Sequence, residues 1–354
     1  MRIVISGGGT GGHIYPAISI LQEIEKNNEI LYIGSENSME SKLIPKLGYN
    51  FESIKIEGFN RKNKFKNIFT IFKLILAIIK SFIILFSFKP DIVIGTGGYV
   101  SGPVLFSASL LKNKTYIHEQ NAFPGLTNKI LSKFVDKIFI SYKESIDHFD
   151  KDKVIFTGNP IRKEFKKDLK NINKITKKSN IEILSFGGSG GAKKINEIIY
   201  ELIKEINGKK RYKLIHATGK KYFKDFEKKI NKDITVKENI LIKDYIDNMA
   251  ESMKNADIVI ARAGAITISE LKFTQTPSIL IPSPNVSNDH QKYNALALQD
   301  LGVSKMLLEK NITVKLLIDI LKDKTKIEKM KNSFENVKKV DSAKKIVKEI
   351  RKDL

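Results

Sequence analysis

Met1-Arg-Ile-Val-Ile-Ser-Gly-Gly-Gly-Thr-Gly-Gly-His-Ile-Tyr-Pro16 opens the chain, and the reading of this stretch decides the fold. Arg2 to Ser6 has the β-branched, apolar make-up of a short buried strand, and glycine stops it. Gly7, Gly8, Gly9, Gly11 and Gly12 strip nearly every Cβ from a six-residue turn. Pro16 sits where a helix begins, and Ala17, Ile18, Ile20 and Leu21 follow at helical apolar spacing. Strand, glycine turn and helix N-terminus make a concave run of backbone N–H groups suited to an anion or a sugar pyrophosphate. His13 stands at the lip of the turn as its one titratable side chain. The spacing departs from Gly-x-Gly-x-x-Gly with an acid about twenty residues on, and no Lys-Ser or Lys-Thr follows as in a P-loop. Five glycines also exceed what a tight turn packed on a sheet requires.

The same unit recurs along the chain. Glu29 to Ile33 and Phe51 to Ile56 read as strands, with a helix over Met39 to Leu47 between them. Asp91 to Ile94 runs into Gly95-Thr-Gly-Gly-Tyr-Val-Ser-Gly-Pro103, a second strand ending in a glycine turn. Lys114 to Ile117 delivers His118-Glu-Gln-Asn121 and Pro124-Gly-Leu-Thr-Asn128 at its end; Val135 to Ile140 and Val154 to Thr157 complete the half. Gly158-Asn-Pro-Ile-Arg162 and the lysine- and asparagine-rich stretch after it form the best domain boundary. Ile181 to Phe186, Gly187-Gly-Ser-Gly-Gly-Ala192 and Ile195 to Ile206 then repeat strand, glycine turn and helix. Tyr212 to His216, Ile240 to Ile242, Asp257 to Ile260 and Ser278 to Ile281 are further strands. Helices open near Arg262 to Glu270 and Asn288 to Asn294, and Val314 to Leu321 and Ser342 to Leu354 are basic and amphipathic. Alternating strands and helices predict an α/β chain of two Rossmann-like, doubly wound parallel-sheet domains facing across a cleft. The expected division is 1–163, 164–335, and a terminal helix over 336–354 that packs back on the first domain.

The totals narrow the function. A length of 354 residues suits two domains, and 42% hydrophobic with 29% charged residues describes a folded chain. With no cysteine there is neither a disulfide framework nor a thiolate metal site. A net charge of +23 favours polyanionic partners: nucleic acid, phosphorylated substrates or an anionic membrane. Aromatic residues do not interleave with the basic clusters as a base-stacking platform needs, so nucleic acid is set aside. The N-terminus enters a strand at once, which predicts no signal peptide. Ile68 to Phe88 is long enough to span a bilayer, but Lys73 and Lys80 interrupt it seven residues apart. Arg61, Lys62, Lys64 and Lys66 precede it and Lys89 closes it. The expectation is a helix on a sheet, its lysine stripe outward and its excess apolar surface at one end, docking on an anionic bilayer.

By the rule for open parallel sheets, ligands bind beyond the carboxyl ends of the strands, and every unusual polar cluster here falls at such an end. In order, Gly-Gly-Thr-Gly-Gly-His, Gly-Gly-Tyr-Val-Ser-Gly-Pro, His-Glu-Gln-Asn, Pro-Gly-Leu-Thr-Asn, Gly-Asn-Pro-Ile-Arg, Gly-Gly-Ser-x-Gly-Ala, Arg-x-Gly-Ala-x-Thr-x-x-Glu and His-Gln-x-x-Asn-Ala run from Met1 to Ala295. Together they resemble the peptidoglycan N-acetylglucosaminyltransferases that make lipid II from lipid I. The resemblance implies the GT-B fold and a peripheral place on the cytoplasmic face of the bacterial inner membrane. It implies inverting transfer of N-acetylglucosamine from UDP-N-acetylglucosamine to the C4 hydroxyl of the muramyl sugar of undecaprenyl-pyrophosphoryl-muramyl-pentapeptide, lipid I. No cofactor or tightly held metal is implied, and no Asp-x-Asp stands at a strand end.

Carried over residue by residue, the resemblance puts Thr10, Gly11 and Gly12 on the donor-sugar and acceptor side. Asn121 contacts the sugar, with Asn128 supporting that loop. Ser189 binds phosphate and Arg162 balances the leaving diphosphate. Backbone near Ile246 and Ala265 holds uracil, Glu270 the ribose and Gln291 the donor sugar; Ile266, Thr267, Ile268 and Ser269 share the same helix opening. An inverting displacement needs a base titrating near neutrality, which selects His13 first and His118 second. Glu119 is poised either to orient that base or to replace it. His148 and His216 read as bystanders. Gly190 and Ala263 depart from bulkier or hydroxylated residues in many relatives, which bears on donor contacts. Two other readings are a different UDP-sugar lipid transferase or epimerase on this fold, and a non-catalytic nucleotide-sugar-binding membrane scaffold.

Overall fold

The computed structural model describes residues 1–24, 27–58, 66–163, 165, 179–188, 190–286, 289–337 and 340–353. These form two units, Met1–Arg162 with Val340–Leu354, and Lys163–Lys339. In the first, β1 (Arg2–Ser6), α1 (Gly11–Ile24), β2 (Glu29–Ser35), α2 (Met39–Lys46) and β3 (Asn50–Ile54) build one side of a sheet. The crossover helix α3 (Lys66–Phe88) leads to β4 (Ile92–Gly95), then α4 (Ser101–Leu110), β5 (Lys114–Glu119), α5 (Leu126–Leu131), β6 (Lys137–Ile140) and β7 (Val154–Phe156). The seven strands lie in the order β3-β2-β1-β4-β5-β6-β7, all parallel. Both faces are covered, which is why β1 is apolar throughout: Ile3 and Ile5 enter one core cluster and Val4 the other. The chain reverses its direction of winding between β1 and β4, where Ser6 is in register with Gly95. Both glycine turns therefore leave the sheet side by side at the switch point.

Helix α3 is the departure from expectation. Thr70, Ala77, Ser81 and Leu85 form its buried stripe, and the Ser107 hydroxyl of α4 donates to the Ile78 carbonyl at 3.0 Å. Lys73 pairs with Glu57 at the surface, its side chain 41% exposed, and Lys80 is exposed. The outer face is apolar along the whole helix, from Phe69 at 75% exposure through Phe72 and Ile83 to Phe86 at 64%. Small residues face the neighbours because helices packed closely admit little side-chain bulk. Apolar residues surround the helix almost completely, so periodicity could not say which side was inward. By length and composition Asn67–Phe88 could cross a membrane, yet it joins two strands of one sheet and contributes Ala77 and Leu85 to that unit's core. Of the basic residues preceding it, Arg61, Lys62 and Lys64 lie outside the described residues, as does the side chain of Lys66.

The second unit repeats the plan with β8 (Ile181–Phe186), α6 (Lys193–Ile206), β9 (Tyr212–Ala217), α7 (Phe223–Asp233), β10 (Ile240–Lys243) and α8 (Met249–Asn255). β11 (Ile258–Ala261), α9 (Ala265–Thr274), β12 (Ser278–Leu280), α10 (His290–Asp300) and β13 (Ser304–Met306) follow, then α11 (Val314–Lys322) and α12 (Lys324–Asn332). Its parallel order is β10-β9-β8-β11-β12-β13, with the switch point between β8 and β11. β13, three residues with a central exposed lysine, carries no readable pattern and was not expected. Finally α13 (Ser342–Arg351) belongs to the first unit, where Ile346, Val347 and Ile350 share a core with Ile14, Ala17 and Leu21 of α1.

Candidate active site

The turn after β1 and the turn after β4 fit together only without side chains. A Cβ on Gly98, at φ +83°, would sit 2.2 Å from the Gly8 carbonyl oxygen, and one on Gly97 would sit 2.8 Å from Nδ1 of His13. The Gly8 N–H donates to the Gly97 carbonyl at 3.3 Å, and the Thr96 hydroxyl donates to the His13 carbonyl at 2.8 Å. Glycine was expected here for access to a ligand; much of it serves close approach of two backbone segments.

His13 lies in the first turn of α1, and its chemistry follows from its partners. Nδ1 is 2.9 Å from the Thr96 carbonyl and 3.2 Å from Oε1 of Gln120. The Gln120 amide is fixed by its own bonds, since Nε2 donates to the carbonyls of Thr96 at 2.7 Å and His118 at 3.1 Å. Both groups facing Nδ1 are therefore acceptors, so Nδ1 carries the proton. Nε2 is left with its lone pair, and among the described residues it meets no partner.

His118 is held the other way. Nδ1 accepts from Gln120 at 3.1 Å, Nε2 faces the Gly158 carbonyl at 3.1 Å, and the ring is wholly buried. Burial pushes its pKa down to about 4, with proximity of His13 acting in the same direction. It is a neutral, fully engaged ring that fixes Gln120, which in turn fixes His13. Strand alternation puts His118 and Gln120 on one side and Glu119 on the other. Glu119, also buried, accepts at Oε1 from the backbone and side-chain amides of Asn121 (2.9 and 3.1 Å). At Oε2 it accepts from Gly125 N–H (3.1 Å) and Asn128 Nδ2 (2.8 Å). Glu119 was expected to orient the base or replace it, yet its four bonds go to Asn121, Gly125 and Asn128 and none to His13 or His118: its lone pairs hold the β5–α5 loop. His148, read as a bystander, touches the same loop, its ring 4.8 Å from that of Phe123.

Thr10 is exposed at the turn's tip, and Gly11 and Gly12 begin α1. Arg162 ends the first unit's main segment with its guanidinium 4.8 Å over the ring of Tyr15, one turn along α1 from the glycines. Sequence reasoning missed Gln120 and Thr96. Gln120 was legible as part of a polar run at a strand end; Thr96 acts through its carbonyl and hydroxyl, for which sequence offers no sign.

In the second unit Ser189 lies outside the described residues. Around it, Gly191 (φ +73°) packs on the β9 end, where a Cβ would lie 2.3 Å from the Thr218 carbonyl oxygen. Asn196 of α6 donates to that same carbonyl at 3.1 Å. Arg262 is committed internally, donating to the carbonyls of Ile281 (3.0 Å) and Pro282 (3.2 Å) and pairing with Glu309. Gln291 accepts from Ser283 N–H at 2.9 Å, and Asn294 donates to the Ala263 carbonyl at 3.3 Å. So Arg262 and Gln291 both engage the Ile281–Ser283 segment that follows β12. α9 begins after Gly264 without a side-chain cap bond. Ala265, Glu270 and Ile246 are buried, Ile266 and Thr267 half-buried, and the Ser269 hydroxyl donates back to the Ala265 carbonyl. Ile268 is fully buried.

Comparison with known proteins covers the whole chain. Residues 3–140 match the glycosyltransferase family 28 N-terminal domain and residues 182–353 its C-terminal domain. A UDP-N-acetylglucosamine–N-acetylmuramyl-(pentapeptide) pyrophosphoryl-undecaprenol N-acetylglucosamine transferase of Acetivibrio thermocellus is 43% identical over 100% of this chain and 98% of its own. A crystal structure of MurG from Acinetobacter baumannii superposes with a TM-score of 0.78 at 25% identity, covering 99% of each chain. A putative UDP-N-acetylglucosamine 2-epimerase from Listeria monocytogenes gives a TM-score of 0.68 at 12% identity, over 98% of this chain and 94% of that one, a likeness of fold alone.

Proposed function

We infer the activity from what the chain is: it belongs to glycosyltransferase family 28, both domains of which it contains, and it has the GT-B fold. It transfers N-acetylglucosamine from UDP-N-acetylglucosamine to the muramyl sugar of undecaprenyl-pyrophosphoryl-linked pentapeptide, forming lipid II. The observation that carries this is 43% identity, end to end, to a transferase named for that donor and that acceptor. The epimerase alternative has only fold likeness behind it.

The roles of individual residues are our assignment. The first unit takes the acceptor and the second the donor. The acceptor's C4 oxygen attacks the anomeric carbon of the donor sugar from the face opposite UDP; the C–O bond to UDP breaks and its electron pair leaves with the diphosphate. Nε2 of His13 takes the hydroxyl proton, and the Nδ1–H bond to the Thr96 carbonyl steadies the imidazolium that results. Glu119 holds the loop bearing Asn121 and Asn128, which meet the sugar. On the donor side the start of α9 and Ile246 take uracil, Glu270 the ribose and Gln291 the sugar hydroxyls. Ser189 is assigned to phosphate, and Arg162 to the charge of the leaving diphosphate. Acceptor-dependent UDP release from UDP-N-acetylglucosamine and a short-chain lipid I analogue tests the reading. Donor binding without such release would leave the scaffold alternative standing.

We also place the protein peripherally on the cytoplasmic face of the membrane, through the outward apolar face of α3. Ten large apolar residues between Ile68 and Phe86 are exposed there on one helix, more than solvated helices carry, and a chain of net charge +23 favours anionic lipid.

A further inference from the structure

Among the described residues Gln120 is the one side chain hydrogen-bonded to both His13 and His118, and the backbone decides which way round it sits. It directly follows β5 and is buried. Its Nε2 lies 2.7 Å from the Thr96 carbonyl and 3.1 Å from the His118 carbonyl. A carbonyl only accepts, so turning the amide over would set its oxygen against two others in a buried site. The orientation of the amide therefore depends on neither ring, and it settles both at once. The amide nitrogen faces Nδ1 of His118, which must hold a lone pair, and that ring's proton is then on Nε2 toward the Gly158 carbonyl. Oε1 faces Nδ1 of His13, which must hold the proton. The two rings are opposite tautomers set by one amide.

Filling space does not call for an amide here, since methionine has the same length and no polar group to satisfy when buried. Nor does the Thr96 carbonyl suffice alone, although it accepts from His13 Nδ1 at 2.9 Å. A ring held by one acceptor swings about that bond. Thr96 follows β4 and Gln120 follows β5, so the second acceptor, at 3.2 Å, holds the ring between the ends of two adjacent strands.

We propose that Gln120 is a positioning residue for the transfer reaction: it keeps His13 as the Nδ1–H tautomer and steadies its ring so that the Nε2 lone pair meets the acceptor hydroxyl. The proposal rests on the reading of His13 as the base. Gln120 touches no reacting atom and acts through His13 alone.

The test uses the full chain as wild type, Gln120→Met, Gln120→Glu and His13→Ala. Turnover is measured with UDP-N-acetylglucosamine and the short-chain lipid I analogue, and nitrogen-15 spectra of histidine-labelled protein are recorded at about pH 8, where histidines are neutral. His13 is assigned by its absence from His13→Ala. Wild type should show His13 protonated at Nδ1 and bare at Nε2, and Gln120→Met should show both tautomers of that ring. Its kcat should fall at least about tenfold with donor KM within about twofold. A neutral glutamic acid among these carbonyls keeps a donor for Thr96 and an acceptor for His13, so Gln120→Glu should regain kcat to within about threefold of wild type. Wild-type His13 with its proton on Nε2 overturns the proposal. So does a folded Gln120→Met of normal kcat while His13→Ala is impaired. If Gln120→Met does not fold, the wild-type spectrum and the kcat of Gln120→Glu decide. Normal turnover in His13→Ala would remove the base, and this proposal with it, and leave the transferase reading standing; a wild type without transfer would refute that reading, while the spectra would still judge what sets the His13 tautomer.

Discussion

At the scale of single residues, the site is a chain of tautomers fixed by carbonyls. Gly158 sets His118, His118 sets Gln120, and Gln120 with Thr96 sets His13, each link a bond of 2.7–3.2 Å. His13→Ala removes the one group in this chain with an open lone pair. Turnover should fall at least about a hundredfold with donor KM little changed; near-normal kcat would remove His13 from the mechanism. Glu119→Gln should behave differently. An amide in place of one carboxylate oxygen sets N–H against N–H at Asn121 or at Gly125 and Asn128, costing about 1–3 kcal/mol of stability and raising acceptor KM. A thermal melt and acceptor titration equal to wild type would show that the loop does not depend on that carboxylate. The two buried rings, His118 and His216, are each pushed down to about 4 by burial, His216 lying against Phe226. Because the folded pKa values lie below the unfolded one, the unfolded chain binds more protons between about pH 6.5 and 4. Stability therefore falls as pH falls through that window, by about 3 kcal/mol for each ring, and levels off below it. Urea midpoints measured from about pH 7 to 4.5 should drop, and His216→Phe should lessen the drop; parallel curves for the two proteins would contradict the assignment.

Elements decide how these residues are presented. The glycine turns were legible because glycine after an apolar strand has few structural meanings, and so was the polar run on β5. The burial of Glu40 was not legible: it reads as an ordinary first-turn acid of α2, yet it is buried and accepts the Gly9 N–H from a turn over thirty residues away. The extent of the exposed apolar face of α3, expected at one end and found from Ile68 to Phe86, was misread for a related reason. A helix apolar nearly all round gives no preferred direction, and close packing against α4 selected its small residues. That leaves a direct prediction. Ile79→Glu with Ile83→Glu changes exposed positions only, so the fold and soluble-donor binding should persist. Co-sedimentation with anionic vesicles should fall at least about tenfold, since each carboxylate must be taken into or held away from the interface. Retained vesicle binding would place membrane contact elsewhere.

Across the whole molecule one plan is used twice, but its turns are anchored differently. Gly98 of the β4 turn backs the first unit's opening turn, whereas Gly219 at the end of β9 backs that of the second. The repeat was readable from two similar stretches, Ile3 to Ile20 and Ile181 to Ile206; the anchoring was not, because it is set by which strand ends at the same height. The chain's return to its first unit has a testable consequence. α13 inserts Ile346, Val347 and Ile350 against α1, and Asp353 beyond it accepts from the Tyr116 hydroxyl at 2.8 Å and from Lys137. The hydroxyl and Lys137 hold the Asp353 carboxyl below its usual range against the opposing effect of burial, so its contribution is present near neutrality and is lost as pH falls through the carboxylate range. Partial exposure keeps that pair to about 1 kcal/mol, while the three apolar side chains together amount to about 5 kcal/mol. Ending the chain after Lys339 should thus lower the denaturant midpoint of the first unit severely and leave that of the second in place; Asp353→Asn should cost only a few degrees of Tm. Tyrosine fluorescence and hydrogen exchange distinguish the units, since strands β1 to β7 should exchange early in the shortened protein and β8 to β13 should not. Equal protection of both sheets in that protein would mean that α13 rests on the first unit without supporting it.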